Sequence, residues 1–189
     1  EQLGQLSNTL FLFQMDHGQE GKGSVFEPGA RIAQFVHYPD AFSNVKFEGL
    51  VSTIDIAPTI AEFAGITNRY PMDGKSWKTA VETGDWDRCV ALELQADRAI
   101  VCGCDKYINV YSGAKSGSLS QGEEHGLETR LPALFDLCSN NSYITSPNLA
   151  PEIERTPNRQ KRDEMQEILN CHLSMTRPGD PPRYGICDE

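Results

Sequence analysis

Apolar residues run almost without a break in "TLFLFQ", from Thr9 to Gln14, and a polar, glycine-rich stretch follows. A run of this kind is typical of a parallel β-strand that is covered on both faces. A second strand is predicted over 30–39, "ARIAQFVHYP", and Pro39 ends it. Four aromatic residues in and between these strands have the spacing of core residues, and no ligand role is assigned to them: Phe11, Phe13, Phe26 and Phe35.

The pattern becomes helical between Asp55 and Gly65. Asp55 is a suitable N-cap, Pro58 is tolerated in the first turn, and Gly65 suits the left-handed position that follows a helix. One side of the predicted helix is apolar, through Ile56, Ile60, Phe63 and Ala64. The first part of the chain therefore predicts strand, loop, strand, loop and helix.

Further along, the chain consists of short β-rich pieces: "CVALELQ" (89–95), "RAIVCG" (98–103), "YINVYS" (107–112) and "ALFDL" (133–137). Only a few residues separate the first three, which permits hairpins and excludes helical crossovers. We therefore predict an antiparallel meander. A polar, glycine-rich excursion over 113–130 separates the third strand from the fourth.

The last periodic segment runs from Thr156 to His172 and predicts an amphipathic helix that packs on the meander. Its apolar side is formed by Met165, Ile168, Leu169 and His172. The tail over 176–189 contains three prolines and is predicted to be extended, with Cys187 as its candidate anchor.

Composition narrows the class of protein. The chain has 189 residues, 39% of them hydrophobic, and no apolar run approaches the roughly 20 residues that cross a bilayer. We therefore expect no transmembrane segment. The net charge is −10 and the one basic cluster is "RQKR" at 159–162, so nucleic acid is not an expected partner.

The chain has six cysteines, all at or after Cys89, and an Asn-x-Ser sequence at Asn140. An even count next to a glycosylation signal fits a secreted or secretory-pathway protein with disulfides. Buried thiols and a metal cluster stay open as alternatives. The sequence starts without Met or a signal segment, so we expect it to begin inside a longer protein.

The candidate chemistry lies directly after the first strand, in "FQMDHGQEGKG". In α/β sheets, ligands gather at the carboxyl ends of the strands. The carboxylate of Asp16 and the imidazole of His17 can share a cation if the chain turns sharply at Gly18. Lys22 lies between two glycines and offers its ammonium to an anion. The trio predicts a metal next to an anionic group, although an ordinary structural turn has the same composition.

Arg31 follows this stretch and is also able to contact an anion. We favour an ion pair with Glu27 or a neighbouring carboxylate that braces the loop. His37 is expected to be a sheet residue with a satisfied ring, and His172 to pack in the helix face.

The order of these motifs resembles the second half of sulfatases, in the alkaline-phosphatase-like superfamily. The resemblance rests on "LFLFQMDHGQ", "GKGSVFEPGAR", "FVHYP", "VSTIDIAPTIAEFAGI" and "MDGKSW", then on "ALELQADRAIVCGCDKYINVY", "LFDL" and "NLA", over about residues 8–175. It implies an α/β fold: a partial mixed sheet of the catalytic domain (1–78), a small antiparallel subdomain with a C-terminal helix (79–175), and an extended tail (176–189).

The resemblance also implies roles. Asp16 and His17 match two ligands of a divalent metal, most often Ca²⁺, and Lys22 matches the catalytic, substrate-binding lysine that contacts the sulfate ester. Metal and lysine together would neutralise charge on the sulfate oxygens as the S–O bond breaks. The implied substrate is a small-molecule or carbohydrate sulfate ester.

Three features depart from the family pattern. Pro28 and Ala33 replace a glycine and a proline, and the first change removes a backbone N–H and stiffens the loop. The Cys/Ser-x-Pro-x-Arg segment that yields the formylglycine nucleophile is absent from this sequence. We expect it upstream, in an N-terminal half of the same protein, and we expect this chain alone to be inactive. A phosphatase or phosphodiesterase of the same superfamily and a non-catalytic, truncated remnant are the alternative interpretations.

Overall fold

The computed structural model describes residues 3–18, 25–41, 45–67, 70–94, 97–110, 132–138, 153–154, 158–174 and 187. The first two strands, β1 (Phe11–Gln14) and β2 (Gln34–His37), form an antiparallel two-stranded sheet in which Phe13 lies opposite Phe35. A one-turn helix, α1 (Glu27–Ala30), precedes β2. Within the described residues, β1 therefore has an antiparallel partner and not the parallel one that its apolar run predicted.

The aromatic side chains of this small sheet lie at the surface. Phe11, Phe13 and Phe35 are 50%, 42% and 54% exposed, so their assignment to a core is wrong for the chain as described. Two strands alone cannot bury both faces, and these rings contact one another, with the centroids of Phe13 and Phe35 4.8 Å apart. Phe26 differs, because it is partly buried against Phe135.

The predicted helix over 55–65 is found as α2 (Ile56–Phe63), after a 3₁₀ turn at Thr53–Asp55. Asp55 occupies the N-cap position of α2 as predicted, but among the described residues its side chain makes no capping hydrogen bond to that helix. Its buried carboxylate accepts a hydrogen bond from the Ser52 N–H at 2.7 Å and closes a capping box at the start of the 3₁₀ turn. Gly65 has φ 67° and takes the predicted left-handed position after the helix.

The segment between the two sheets connects them. After α3 (Lys78–Thr83), Arg88 donates to Asp55 Oδ1 at 2.6 Å, and both side chains are buried. The Lys75 N–H donates to the same carboxylate oxygen at 2.8 Å. Asp55 thus links the start of α2 to the residues that enter the second sheet.

The predicted meander is confirmed as the first four strands of a five-stranded antiparallel sheet in sequential order. The strands are β3 (Cys89–Leu94), β4 (Asp97–Cys102), β5 (Asp105–Val110), β6 (Ala133–Asp136) and β7 (Ile153–Glu154). The fifth, β7, was not predicted. The excursion over 113–130 and the residues of the tail before 187 lie outside the described residues.

Both faces of this sheet are covered. On one face packs the predicted C-terminal helix, α4 (Arg159–Ser174), whose Met165 and Leu169 complete a core cluster with Cys89, Ile100, Tyr107 and Leu134. On the other face Val25 and Phe26 pack against Ala99, Ile108 and Phe135. The residues just before α1 are therefore part of the core of the second sheet.

All six cysteines form disulfides: Cys89–Cys102, Cys104–Cys138 and Cys171–Cys187. This outcome removes the two alternatives of buried thiols and a metal cluster. The first bond joins directly opposite residues of β3 and β4, and the third attaches Cys187 to α4, as expected for the tail.

The α/β fold class with a small antiparallel sheet and a C-terminal helix is thus confirmed, whereas the boundaries at residues 78 and 175 stay predictions. In the part of the chain that the structure describes, no helix has both the length and the apolar character needed to span a bilayer.

Candidate functional site

The predicted metal turn lies at the carboxyl end of β1. The Met15 N–H donates to the carbonyl of Ala33 at 3.0 Å, and the sheet ends there. Asp16 follows as an exposed residue and His17 as a half-buried one. Asp16 Oδ1 accepts the His17 N–H at 3.1 Å, which bends the backbone so that both side chains belong to one tight turn.

The ring of His17 has a defined orientation. Its Nδ1 lies 2.6 Å from the carbonyl oxygen of Gly18, and because a carbonyl only accepts, Nδ1 carries the proton in this contact. In the neutral ring, Nε2 then keeps its lone pair. A backbone carbonyl that fixes the tautomer in this way is a common arrangement behind metal-binding histidines.

The two predicted ligands lie close together. His17 Nε2 is 3.8 Å from Asp16 Oδ2. Metal–ligand distances of roughly 2.0–2.5 Å allow two donors at this separation to share one cation. Among the described residues, no group of three or more His, Cys, Asp or Glu side chains forms a complete metal site. Asp16 and His17 therefore fit as two ligands of a divalent ion, which would need further ligands to complete its coordination.

Lys22, the predicted sulfate-binding residue, lies outside the described residues, as does the whole of 19–24. Both ends of that loop are described. At one end, the Gly18 N–H donates to the carbonyl of Gly29 at 3.0 Å. At the other, Val25 is 2% exposed in the core of the second sheet. The residues that flank 19–24 are therefore attached to α1 on one side and to the five-stranded sheet on the other.

The Glu27-Pro28-Gly29 departure from the family pattern is accommodated by α1. Pro28 occupies the first turn of this helix, where a backbone N–H has no partner within the helix. The turn closes with the Arg31 N–H on the carbonyl of Glu27 at 2.9 Å. The absence of a backbone N–H at Pro28 thus removes no helical hydrogen bond.

The carboxylate of Glu27 contacts a residue that sequence reasoning missed. Its Oε1 lies 2.8 Å from Lys106 Nζ on β5, and both side chains are buried. Arg31 is an exposed residue, and its ion pair with Glu27 or a neighbouring carboxylate stays a prediction. A signal was available, because Lys106 lies two residues before the apolar Ile108 and so shares its face of the predicted strand. A lysine on an apolar face needs a buried anion as its partner.

A groove of about 580 Å³ runs along β2. Neither Asp16 nor His17 lines it. Aromatic and aliphatic side chains form most of the wall, including Phe35, Tyr38, Phe47 and Trp77. The indole N–H of Trp77 is buried without a hydrogen-bond partner among the described residues. The groove and the exposed rings of β1 and β2 form one poorly covered region.

No protein-family model matches the chain. Among curated proteins, it is 34% identical over 83 residues to a putative extracellular sulfatase Sulf-1 homolog of Caenorhabditis elegans, covering 40% of this chain and 12% of that protein. It is 33% identical over 90 residues to an arylsulfatase of Clostridium perfringens, covering 42% and 19%. With an N-acetylglucosamine-6-O-sulfatase of Bacteroides thetaiotaomicron it shares 28% identity over 99 residues, covering 46% and 18%.

Among solved structures, the chain resembles that of BT4656 in complex with its substrate, D-glucosamine-2-N,6-O-disulfate. The TM-score is 0.58 with 18% identity, over 92% of this chain and 35% of that one. This likeness shows the fold, and the curated relatives confirm the sequence resemblance to sulfatases that the motifs indicated. The matches cover less than a fifth of the length of the curated relatives.

Proposed function

We infer that this chain is the C-terminal part of a sulfuric ester hydrolase and contributes one side of its active site. The observation that carries the proposal is the turn after β1, where His17 Nε2 and Asp16 Oδ2 lie 3.8 Å apart with the imidazole proton held on Nδ1. The collinear sulfatase motifs and the sulfatase relatives support the same assignment.

Asp16 and His17 are proposed to hold a divalent cation, with Ca²⁺ as the ion that the family resemblance implies. When bound, such an ion supplies positive charge beside the sulfate oxygens. The carboxylate lowers the net charge of the site, and the carbonyl of Gly18 keeps the imidazole in the tautomer that presents Nε2. Calcium prefers more oxygen ligands than these two residues offer, so further ligands are expected from the rest of the protein.

Lys22 is proposed to bind the sulfate ester. Its ammonium is a compact point charge that compensates negative charge on the sulfate oxygens as the bond to the leaving alcohol breaks. The loop that carries it starts three residues after Asp16, which supports a shared pocket for the sulfo group and the cation.

The nucleophile is proposed to be a formylglycine on an N-terminal half of the same protein. The uncovered face of the first sheet supports this partner, since Phe11, Phe13 and Phe35 are large exposed hydrophobic residues on two adjacent strands. The groove along β2, with the unpartnered indole N–H of Trp77 in its wall, is the other surface that such a half would cover.

The proposed substrate is a sulfate ester of a small molecule or a carbohydrate. Relatives named as extracellular sulfatases and as an N-acetylglucosamine-6-O-sulfatase make a sulfated amino sugar the first compound to assay. Secretion is proposed on the same basis, and the three disulfides support it.

The test replaces Lys22 with Ala in the protein that joins this chain to its N-terminal half. Turnover of an aryl sulfate is expected to fall roughly 100- to 1,000-fold, as for the loss of one preorganised charge-stabilising group. Lys161→Ala is the matched control, because Lys161 lies on α4 and pairs with Glu164 at 2.9 Å. Unchanged turnover in the Lys22 variant would contradict the proposed role, and hydrolysis of an aryl phosphate in preference to the sulfate would favour the phosphatase interpretation.

A further inference from the structure

We propose that Lys106 is a positioning residue for the Asp16–His17 turn, acting through its buried ion pair with Glu27. The pair fixes α1 on the five-stranded sheet, and α1 in turn holds Gly18, the residue that follows His17. The relevance to catalysis rests on the proposed function of Asp16 and His17, whereas the anchoring rests on the contacts themselves.

The first step is the burial of the pair. Lys106 is fully buried, Glu27 is 7% exposed, and their charged atoms are 2.8 Å apart across 79 positions of sequence. Across the sheet, Lys106 lies between Val101 of β4 and Phe135 of β6. A charge in such surroundings loses its hydration, and a buried pair recovers that cost only with good geometry. Stability alone would be served as well by two apolar residues.

The second step is what the pair attaches. Glu27 is the first residue of α1, and the residues before it, Val25 and Phe26, pack into the same face of the sheet. The ion pair therefore fixes the depth and direction at which the chain leaves the loop over 19–24. Two apolar side chains of the same length would bury the same surface. They would not fix an orientation as the charged hydrogen bond between Lys106 and the Glu27 carboxylate does.

The third step links α1 to the metal turn. The carbonyl of Gly29, in α1, accepts the Gly18 N–H at 3.0 Å, and Gly18 directly follows His17. The carbonyl of Gly18 is the acceptor that orients the His17 ring. A shift of α1 would thus move the imidazole of His17, and a misplacement of about 1 Å is enough to cost roughly 100-fold in rate.

The chain offers a matched control in its other buried ion pair. Arg88 and Asp55 are 2.6 Å apart, with side chains 4% and 0% exposed, and they join the start of α2 to β3. That pair resembles Lys106–Glu27 in burial and distance but makes no contact with α1 in any of the described hydrogen bonds. Loss of either ion pair should destabilise the fold, but only loss of the Lys106–Glu27 pair is expected to disturb the Asp16–His17 turn.

The kinetic test uses the protein that joins this chain to its N-terminal half, assayed well below the melting temperature of each variant. Lys106→Met is expected to lower kcat for an aryl sulfate roughly 10- to 100-fold, with KM changed less than about threefold. Lys106→Arg keeps the charge and should recover most of the loss. Arg88→Met should keep the parent kcat in the folded fraction. Parent kcat in Lys106→Met, or an equal loss in Arg88→Met, would overturn the proposal.

A double variant separates positioning from stability. Glu27→Gln with Lys106→Met leaves no unpaired buried charge, so it should melt closer to the parent than Lys106→Met does. Its kcat should nevertheless stay low. If kcat returns along with the melting temperature, the pair has a purely structural role.

A second measurement does not depend on sulfatase activity. Amide hydrogen exchange of this chain should increase in peptides covering 15–31 for Lys106→Met, while peptides of β4 keep their protection. Arg88→Met should leave the exchange of 15–31 unchanged. If the exchange result holds but the parent protein hydrolyses no sulfate ester, the proposed function fails and the anchoring stands. Unchanged exchange of 15–31 in Lys106→Met would refute the anchoring.

Discussion

The two sheets of this molecule differ in how completely they are covered. The five-stranded sheet has α4 on one face and Val25 and Phe26 on the other, and its central residues Ile100 and Ile108 are fully buried. The two-stranded sheet leaves Phe11, Phe13 and Phe35 about half exposed. One region thus contains its own core, and the other presents apolar surface that suits contact with further protein.

The candidate site belongs to both regions. Asp16 and His17 follow a strand of the poorly covered sheet, yet the hydrogen bond from Gly18 to α1 and the ion pair from Glu27 to Lys106 attach them to the well-covered one. The small sheet is thus more than an appended module, because the Asp16–His17 turn at its end is attached through α1 to the larger sheet.

The largest effect is expected from reduction of the disulfides, all of which lie at or beyond Cys89. With closed loops of 13, 34 and 16 residues, each bond should stabilise by about 3–4 kcal/mol, and their combined loss rivals the whole stability of a typical domain. Hydrogen exchange with and without a reductant should show loss of protection in β3 to β6. Protection that survives reduction would mean that packing alone holds this sheet.

A pair of substitutions compares the two regions directly. Leu169→Ala, in the core beneath α4, should lower the free energy of unfolding of this chain by about 2–5 kcal/mol, through lost burial and a cavity. Phe35→Ala should change it by less than about 0.5 kcal/mol, because that ring is exposed. Urea denaturation of the two variants measures both values. Equal losses in the free energy of unfolding would show that the aromatic face of the two-stranded sheet is covered in solution. That result would contradict the difference between the two sheets.

The smallest effect concerns an ion pair beside the groove. A hydrogen bond and the charge of Lys46 lower the pKa of the Glu48 carboxyl, which is fully exposed. A carboxyl with a lowered pKa in the folded state stabilises above its unfolded pKa, and that contribution fades as the pH falls through the folded value. Lys46→Ala should return the pKa of Glu48 to its ordinary range in an NMR titration, with hardly any change in stability, since water screens the pair. An unaltered titration would mean that Lys46 is not the cause.

Sequence patterns predicted the helices and strands that are specified mainly by residues close to one another in the sequence. The first four strands of the meander, α2 and α4 were all predicted, because short connections and helical periodicity are local signals. Helix α1, helix α3 and strand β7 were missed, since each has six residues or fewer and depends on its tertiary setting.

Burial and pairing were harder to predict. The spacing of Phe13 and Phe35 indicates that these side chains are buried in the complete fold. It does not indicate whether the residues that bury them belong to this chain. Asp55 was recognised as a cap, while its partner Arg88 lies 33 positions away and leaves no local trace. The partners within six cysteines are likewise not fixed by sequence, because fifteen pairings are open. For the site, the turn at Asp16 and His17 was found, and the Lys106 contact behind it was not.

The link between the metal turn and α1 is made by main-chain atoms alone, the N–H of Gly18 and the carbonyl of Gly29. Since no side chain takes part in this hydrogen bond, it depends directly on the number of positions, here ten, that separate the two residues. An insertion or deletion over 19–28 should therefore break the link even where Val25, Phe26 and Glu27 are kept, whereas a substitution that spares those residues should leave it in place.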